Sequence, residues 1–288
     1  MALYGQPNAW TCGPFALKHA LLALGVFARE EELARAAGTT ERLGTDEPGL
    51  RRAARLHGAE LRLVRGTARE PTREALDSWL SGGAPVLLCI DQWEHWVTAV
   101  SADAEIVMVF DSKYDAPLRA EPWEELLDRL ACRRPWLGGV WTRTLYDLHP
   151  ILPRREPRLR LSLPTDRAHL LAQPEHALIA SRWDDYARAL LPLALSAGAQ
   201  LELGRDLERF VSARRQAIAE CAAARSGTVA SDAMLRVVDG LAFVAGMYRA
   251  LLAPESEPVA VARLADIVVA LASGEPHGPR AADTASAA

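Results

Sequence analysis

The chain has 288 residues, half of them hydrophobic and 24% charged, with a formal net charge of -4. That composition supports a large buried core and excludes a chain disordered throughout. A mildly acidic balance, with no Lys/Arg cluster flanked by aromatics, leaves no electrostatic footprint for nucleic acid. The start, "MALYGQPNAW", has no basic residues and no apolar core of signal-peptide length, and no apolar run approaches the ~20 residues of a membrane span. A cytoplasmic protein without membrane contact is expected.

In chain order, the first pattern is helical. From Cys12 to Leu24 apolar residues recur at helical spacing (Phe15, Leu17, Ala20, Leu21, Leu24), with Thr11 as N-cap and Gly25 as stop. "REEELARAAG" and "DEPGLRRAARLHG" predict two more helices, closed by Gly38 and Gly58. The period then changes. "ELRLVRG" alternates like a strand, "TREALDSWLSGG" is a helix, and "PVLLCID" is a buried strand. "HWVTAVSA" and "EIVMVFDS" are two strands joined by a short polar turn. "EPWEELLDRLA" is a helix and "GGVWTRTLYDL" a last strand.

The expected fold class is therefore α+β, N-terminal helices on a mostly antiparallel sheet over residues 1–148. A Pro/Arg-rich linker follows over 149–167, "HPILPRREPRLRLSLP" in its first part. Four helices over 168–274 form an all-α region, and 275–288 reads as a disordered tail. That helical region shows no nucleophile, metal cluster or phosphate loop. It can select a substrate, form a homo-oligomer, dock a partner protein, or simply support the fold.

Cys12, Cys89, Cys132 and Cys221 are singletons with no CxxC spacing, so no disulfide framework, metal site or cofactor is expected. Cys89 and Cys221 sit in apolar stretches as small buried hydrophobes. Cys12 is different because it opens a helix, where free N–H groups and the helix dipole lower a thiol pKa. A nucleophilic thiol needs an imidazole and a group to orient it. Of the seven histidines, His19 falls inside the first helix on or near its core side. His57, His149, His169, His176 and His277 read as surface or capping residues.

His95 opens the apolar strand in "WEHWVTAV", between Trp93 and Trp96. The next strand ends in Asp111, and a hairpin would set that carboxylate beside His95. Asp115, in "KYDAP", is a rival with turn-like surroundings. The Cys12 backbone N–H and the amide of Gln6 are candidate donors to an oxyanion.

Gln6, "TCGPFALKHALLALG", "EHWVTAV" and "VFDS", in this order, resemble the papain-like cysteine peptidases that process bacteriocin and other double-glycine leader peptides, together with their stand-alone relatives. The resemblance covers about Gln6 to Leu145. It implies a papain-like fold with Cys12 as nucleophile, His95 as general base and acid, Asp111 as orienter and Gln6 as oxyanion donor. The chain departs from the family at Thr11, where an acidic residue is common, and in "CGP". It also carries the helical region in place of a membrane transporter. These differences leave the implied chemistry intact and the substrate open. The leading reading is a thiol hydrolase cleaving a peptide or isopeptide bond through an acyl-enzyme. An acyltransferase using the same thioester with an amine acceptor and a non-catalytic peptide-binding module are the alternatives.

Overall fold

The computed structural model describes residues 3–136, 141–163, 167, 169–172, 176–195, 204–227 and 231–273. The chain divides into two compact units, residues 1–181 and 182–288. The first unit is α+β. Helices α1 (Cys12–Ala23), α2 (Glu30–Ala37) and α3 (Glu47–Leu56) come first, then strands β1 (Ala59–Leu61) and β2 (Val64–Gly66). Helix α4 (Arg69–Ser81) precedes β3 (Val86–Ile90), β4 (His95–Ala102), β5 (Ile106–Phe110) and β6 (Leu118–Pro122). Helix α5 (Trp123–Leu130), β7 (Cys132–Trp136) and β8 (Trp141–Pro153) complete the set.

The strands form one antiparallel sheet in the order β1-β8-β3-β4-β5-β6, with β2 and β7 also paired to β8. Two apolar layers cover it. Leu87 and Cys89 of β3 join Leu17, Leu21, Leu33 and Leu50 of α1 to α3 in one core, while Val86, Leu88 and Ile90 join Leu76, Leu126 and Leu130 of α4 and α5 in the other. A strand buried on both faces has no polar side to alternate with, which is why "VLLCI" is apolar throughout.

Helix ends follow local chemistry. Gly38 closes α2 at φ 73°, a left-handed conformation that a β-carbon disfavours. Asp46 caps α3, its carboxylate accepting from the Gly49 N–H at 2.8 Å. Lys18 of α1 is almost fully buried, held by Glu30 at 3.2 Å and lying over the Tyr4 ring, with the Tyr4 hydroxyl donating to the same carboxylate.

Several expectations differ from the structure. "ELRLVRG" forms two short strands, and β6 and β7 are strands where none was expected. Strand β8 continues through His149 to Pro153, past the point where proline content suggested that a linker begins. Pro150 lacks an N–H but supplies its carbonyl, which accepts from Arg62 N–H at 3.1 Å, and the Ile151 N–H reaches Pro85 O. In the second unit "LGRDLERFVSARRQAIAECAAAR" breaks at Arg214 into helices Leu207–Ala213 and Arg215–Ser226. Helices Trp183–Leu190, Ser231–Met247 and Glu257–Ser273 complete the main helices described there. The expected tail lies outside the described residues. Among the described residues, no helix is long and apolar enough to cross a membrane.

Candidate active site

Cys12 is the first residue of α1 and is 5% exposed. Thr11, expected as a side-chain cap, makes no cap hydrogen bond; its hydroxyl turns to Asn8 O at 3.4 Å. Pro14, at the third helical position, has no N–H to satisfy. The Gly13 N–H, in the first turn, has no intrahelical acceptor, and it and the Trp96 backbone N–H from β4 both favour the thiolate. Strand β4 and α1 are fixed to each other by the buried Thr98 hydroxyl, which donates to Ala16 O at 2.6 Å.

His95, the first residue of β4, donates from Nε2 to Asp111 Oδ1 at 2.7 Å. Its other ring nitrogen remains for the Cys12 thiol, and each of the two groups shifts the titration of the other. Asp111 follows β5 directly, and pairing of Thr98 with Phe110 brings the end of β5 to the start of β4. Asp111 is fully buried. Besides His95, Oδ1 accepts from the Lys113 N–H at 3.0 Å, and Oδ2 lies 3.5 Å from the Arg129 guanidinium. The rival Asp115 is exposed.

The electrostatics follow from these contacts. Burial alone would raise the Cys12 pKa, but the His95 hydrogen bond, the Trp96 N–H, the imidazolium charge and the Gly13 N–H outweigh it and hold the thiol below its usual value. Burial disfavours the His95 imidazolium, yet its bonds to Asp111 and Cys12 push the pKa up to about 9. Burial likewise opposes ionised Asp111, and the His95 bond, the Lys113 N–H and Arg129 keep its carboxyl below the usual range. Both directions favour a thiolate–imidazolium pair over two neutral groups near neutral pH.

Gln6 lies in the loop before α1. Its Nε2 donates to Asn8 O at 2.7 Å, and the amide carries a second N–H beyond that bond. Ser112, next to Asp111, holds it twice: Ser112 Oγ donates to Gln6 Oε1 at 2.7 Å, and Gln6 N–H donates to Ser112 O at 2.6 Å.

No family model and no curated protein matches this chain. Solved structures do. A double-glycine motif protease from an AMS/PCAT transporter, crystallised with the leader peptide, is 19% identical, with a TM-score of 0.39 over 52% of this chain and 89% of that one. The peptidase domain of Streptococcus ComA, a bifunctional ABC transporter of a quorum-sensing pathway, is 16% identical, with a TM-score of 0.39 over 52% and 96%. The N-terminal peptidase-like domain of the toxin secretion ATP-binding protein from Vibrio parahaemolyticus is 12% identical, with a TM-score of 0.33 over 48% and 96%.

The sequence did not single out Arg129 or Ser112, nor the loop from Asp91 to Glu94 that leads into His95. Asp91, Gln92 and Trp93 all have positive φ, at 55°, 62° and 70°. Three successive non-glycine residues in that region store about 1–3 kcal/mol each, so surrounding bonds must hold them. Asp91 N–H donates to Arg129 O at 2.8 Å, Gln92 Nε2 to Ala131 O at 2.8 Å, and Arg133 N–H to Gln92 Oε1 at 3.0 Å. The Trp93 ring has the guanidinium groups of Arg134 and Arg65 4.4 and 5.6 Å from its centroid.

The other histidines stay apart from this chemistry. His19 is fully buried, stacked on Phe110 at 4.7 Å, and His149, expected at the surface, is buried in β8 with Nε2 3.7 Å from Glu47. His277 lies outside the described residues. Among the described residues no His/Cys/Asp/Glu cluster suits a metal.

Proposed function

We propose that the protein is a cysteine hydrolase that cleaves a peptide or isopeptide bond through an acyl-enzyme on Cys12. The observation that carries this reading is His95, held 2.7 Å from a buried carboxylate and electrostatically coupled to a thiol at a helix start. The Cys12 sulfur attacks the substrate carbonyl carbon and forms the C–S bond, and the oxyanion is met by the Cys12 backbone N–H and the second amide N–H of Gln6. As the tetrahedral intermediate collapses, the C–N bond breaks and His95 Nδ1 delivers its proton to the departing amine. Water then attacks the thioester, His95 takes its proton, and the acid leaves with the sulfur restored as thiolate. Asp111 keeps Nε2 protonated and the ring turned so that Nδ1 faces the sulfur throughout. Gln6, Cys12, His95 and Asp111 are the site residues of this proposal, with a peptide or protein as partner.

A diverse peptide library incubated in H2-18O tests it. New C-termini carrying 18O, absent with Cys12→Ala, are expected. An amine-capped C-terminus formed in the presence of added glycine amide would instead identify transfer. A library left unchanged, or cleaved equally by Cys12→Ala, contradicts the proposal.

A further inference from the structure

The loop that delivers His95 and the carboxylate that orients it meet at one side chain. Arg129, in the last turn of α5, holds Asp91 with two bonds, Nε to Oδ1 at 3.2 Å and Nη2 to Oδ2 at 3.1 Å. Its Nη1 donates to Glu121 Oε1 of β6 at 2.7 Å, and Nη2 lies 3.5 Å from Asp111 Oδ2. Asp111 Oδ2 is buried with no hydrogen-bond partner in the structure, so the Arg129 charge is what faces that oxygen. A buried carboxylate oxygen without a donor is costly unless a cation compensates it. The Asp91–Trp93 segment is strained at three consecutive residues and runs straight into His95.

We propose that Arg129 is a positioning residue of the site: its guanidinium clamps the strained loop ahead of His95 and balances the buried charge of Asp111, so that imidazole and carboxylate share one frame. This inference rests on the function proposed above. It adds a requirement that the three carboxylates Asp91, Glu121 and Asp111 share one cation.

The titratable groups facing Asp111 are His95 from β4, Arg129 from α5, His19 from α1 and Glu121 from β6. Those facing His95 are Asp111 and, from α1, Cys12. His19 is neutral near pH 7, because burial lowers its pKa to about 3. Removing the Arg129 charge leaves a net negative field around His95, and a negative field favours the protonated ring. The His95 titration must therefore move to higher pH, a shift that a merely structural side chain would not produce.

The test is a histidine-ring NMR titration of the full chain labelled with 15N-histidine, the His95 signal assigned by its loss in His95→Gln. Arg129→Gln is compared with Arg129→Lys and wild type. Arg129→Gln keeps the loop's other bonds, the Asp91 N–H to residue 129 O and both Gln92 bonds. The expected result is a His95 midpoint raised by roughly half a pH unit or more in Arg129→Gln and close to wild type in Arg129→Lys. An unchanged or lowered midpoint in Arg129→Gln, or equal shifts in both variants, overturns the role of Arg129. A wild-type His95 that titrates like a free histidine defeats instead the thiolate–imidazolium pair, and with it the proposed function. The two failures are thus distinct.

Discussion

At the scale of single residues, the chemistry turns on which hydrogen bonds each side chain has left to give. Gln6 uses one amide N–H on Asn8 O and has its carbonyl fixed by Ser112 Oγ, so the orientation of the other N–H is set before substrate arrives. An oxyanion donor acts only as the tetrahedral intermediate forms. On a peptide found by the library, Gln6→Ala should lower kcat by about 10²–10³, or roughly 3–4 kcal/mol, with little change in KM. Iodoacetamide alkylation of Cys12 creates no oxyanion, and its rate should stay at the wild-type value in the same variant. Ser112→Ala should follow the same pattern to a smaller extent, because the Gln6 N–H bond to Ser112 O still holds the loop. Parallel loss of alkylation and turnover in either variant would return Gln6 to support of the loop. Ser112 was hidden in the sequence because it follows Asp111 in "VFDS" as an ordinary loop serine. Its partner is 106 residues away, and only the fold brings the two together.

At the scale of elements, α1 carries both the nucleophile and a buried histidine that the reaction does not use. His19 is fully buried, neither ring nitrogen has a hydrogen-bond partner in the structure, and its ring stacks on Phe110. Burial, and then the Lys18 charge, depress its pKa from 6.5 to about 3, partly offset by Asp111. The unfolded chain therefore binds a proton below pH 6.5 that the folded chain refuses. Stability from this group is intact above pH 6.5 and falls by about 1.4 kcal/mol per pH unit on acidification until pH 3. His19→Leu should flatten that slope. Urea unfolding at pH 7 and pH 5 should show an acid loss smaller by about 2 kcal/mol in the variant, and an identical loss in both proteins would refute it. Legibility at this scale followed hydrophobic period. The runs "VLLCI" and "HWVTAVSA" became β3 and β4 because apolar residues face α1–α3 on one side and α4–α5 on the other. In β6, "LRAEP", only Glu121 is buried, so no alternation announced it. Arg129 reads as a solvated charge on the flank of an amphipathic helix, since its partners Asp91 and Glu121 lie 38 and 8 residues away.

At the scale of the whole molecule, every residue of the proposed site belongs to the first compact unit, residues 1–181. Three of its segments meet there: the start of α1, the strained turn into β4, and the end of β5. Cys12, His95 and Asp111 could be picked out because a helix start favours a thiolate and a charge ending an apolar strand is unfavourable without a partner, and the resemblance added support for Gln6 and the order. The surrounding frame was not, because a positive-φ turn such as Asp91–Trp93 has no glycine to mark it. The central claim is that Cys12 is held as a thiolate by His95. The most direct measurement is the iodoacetamide rate constant at each cysteine between pH 5 and 8, read by peptide mass mapping, for wild type and Asp111→Asn. Cys12 should react at pH 6 well ahead of Cys132 and Cys221, and ahead of Cys89, whose thiol burial pushes far up. Asp111→Asn should cut the Cys12 rate at that pH by tenfold or more, roughly the effect of one pKa unit. A Cys12 that gains reactivity only as pH approaches the range of a free thiol, with Asp111→Asn unchanged, would contradict the account.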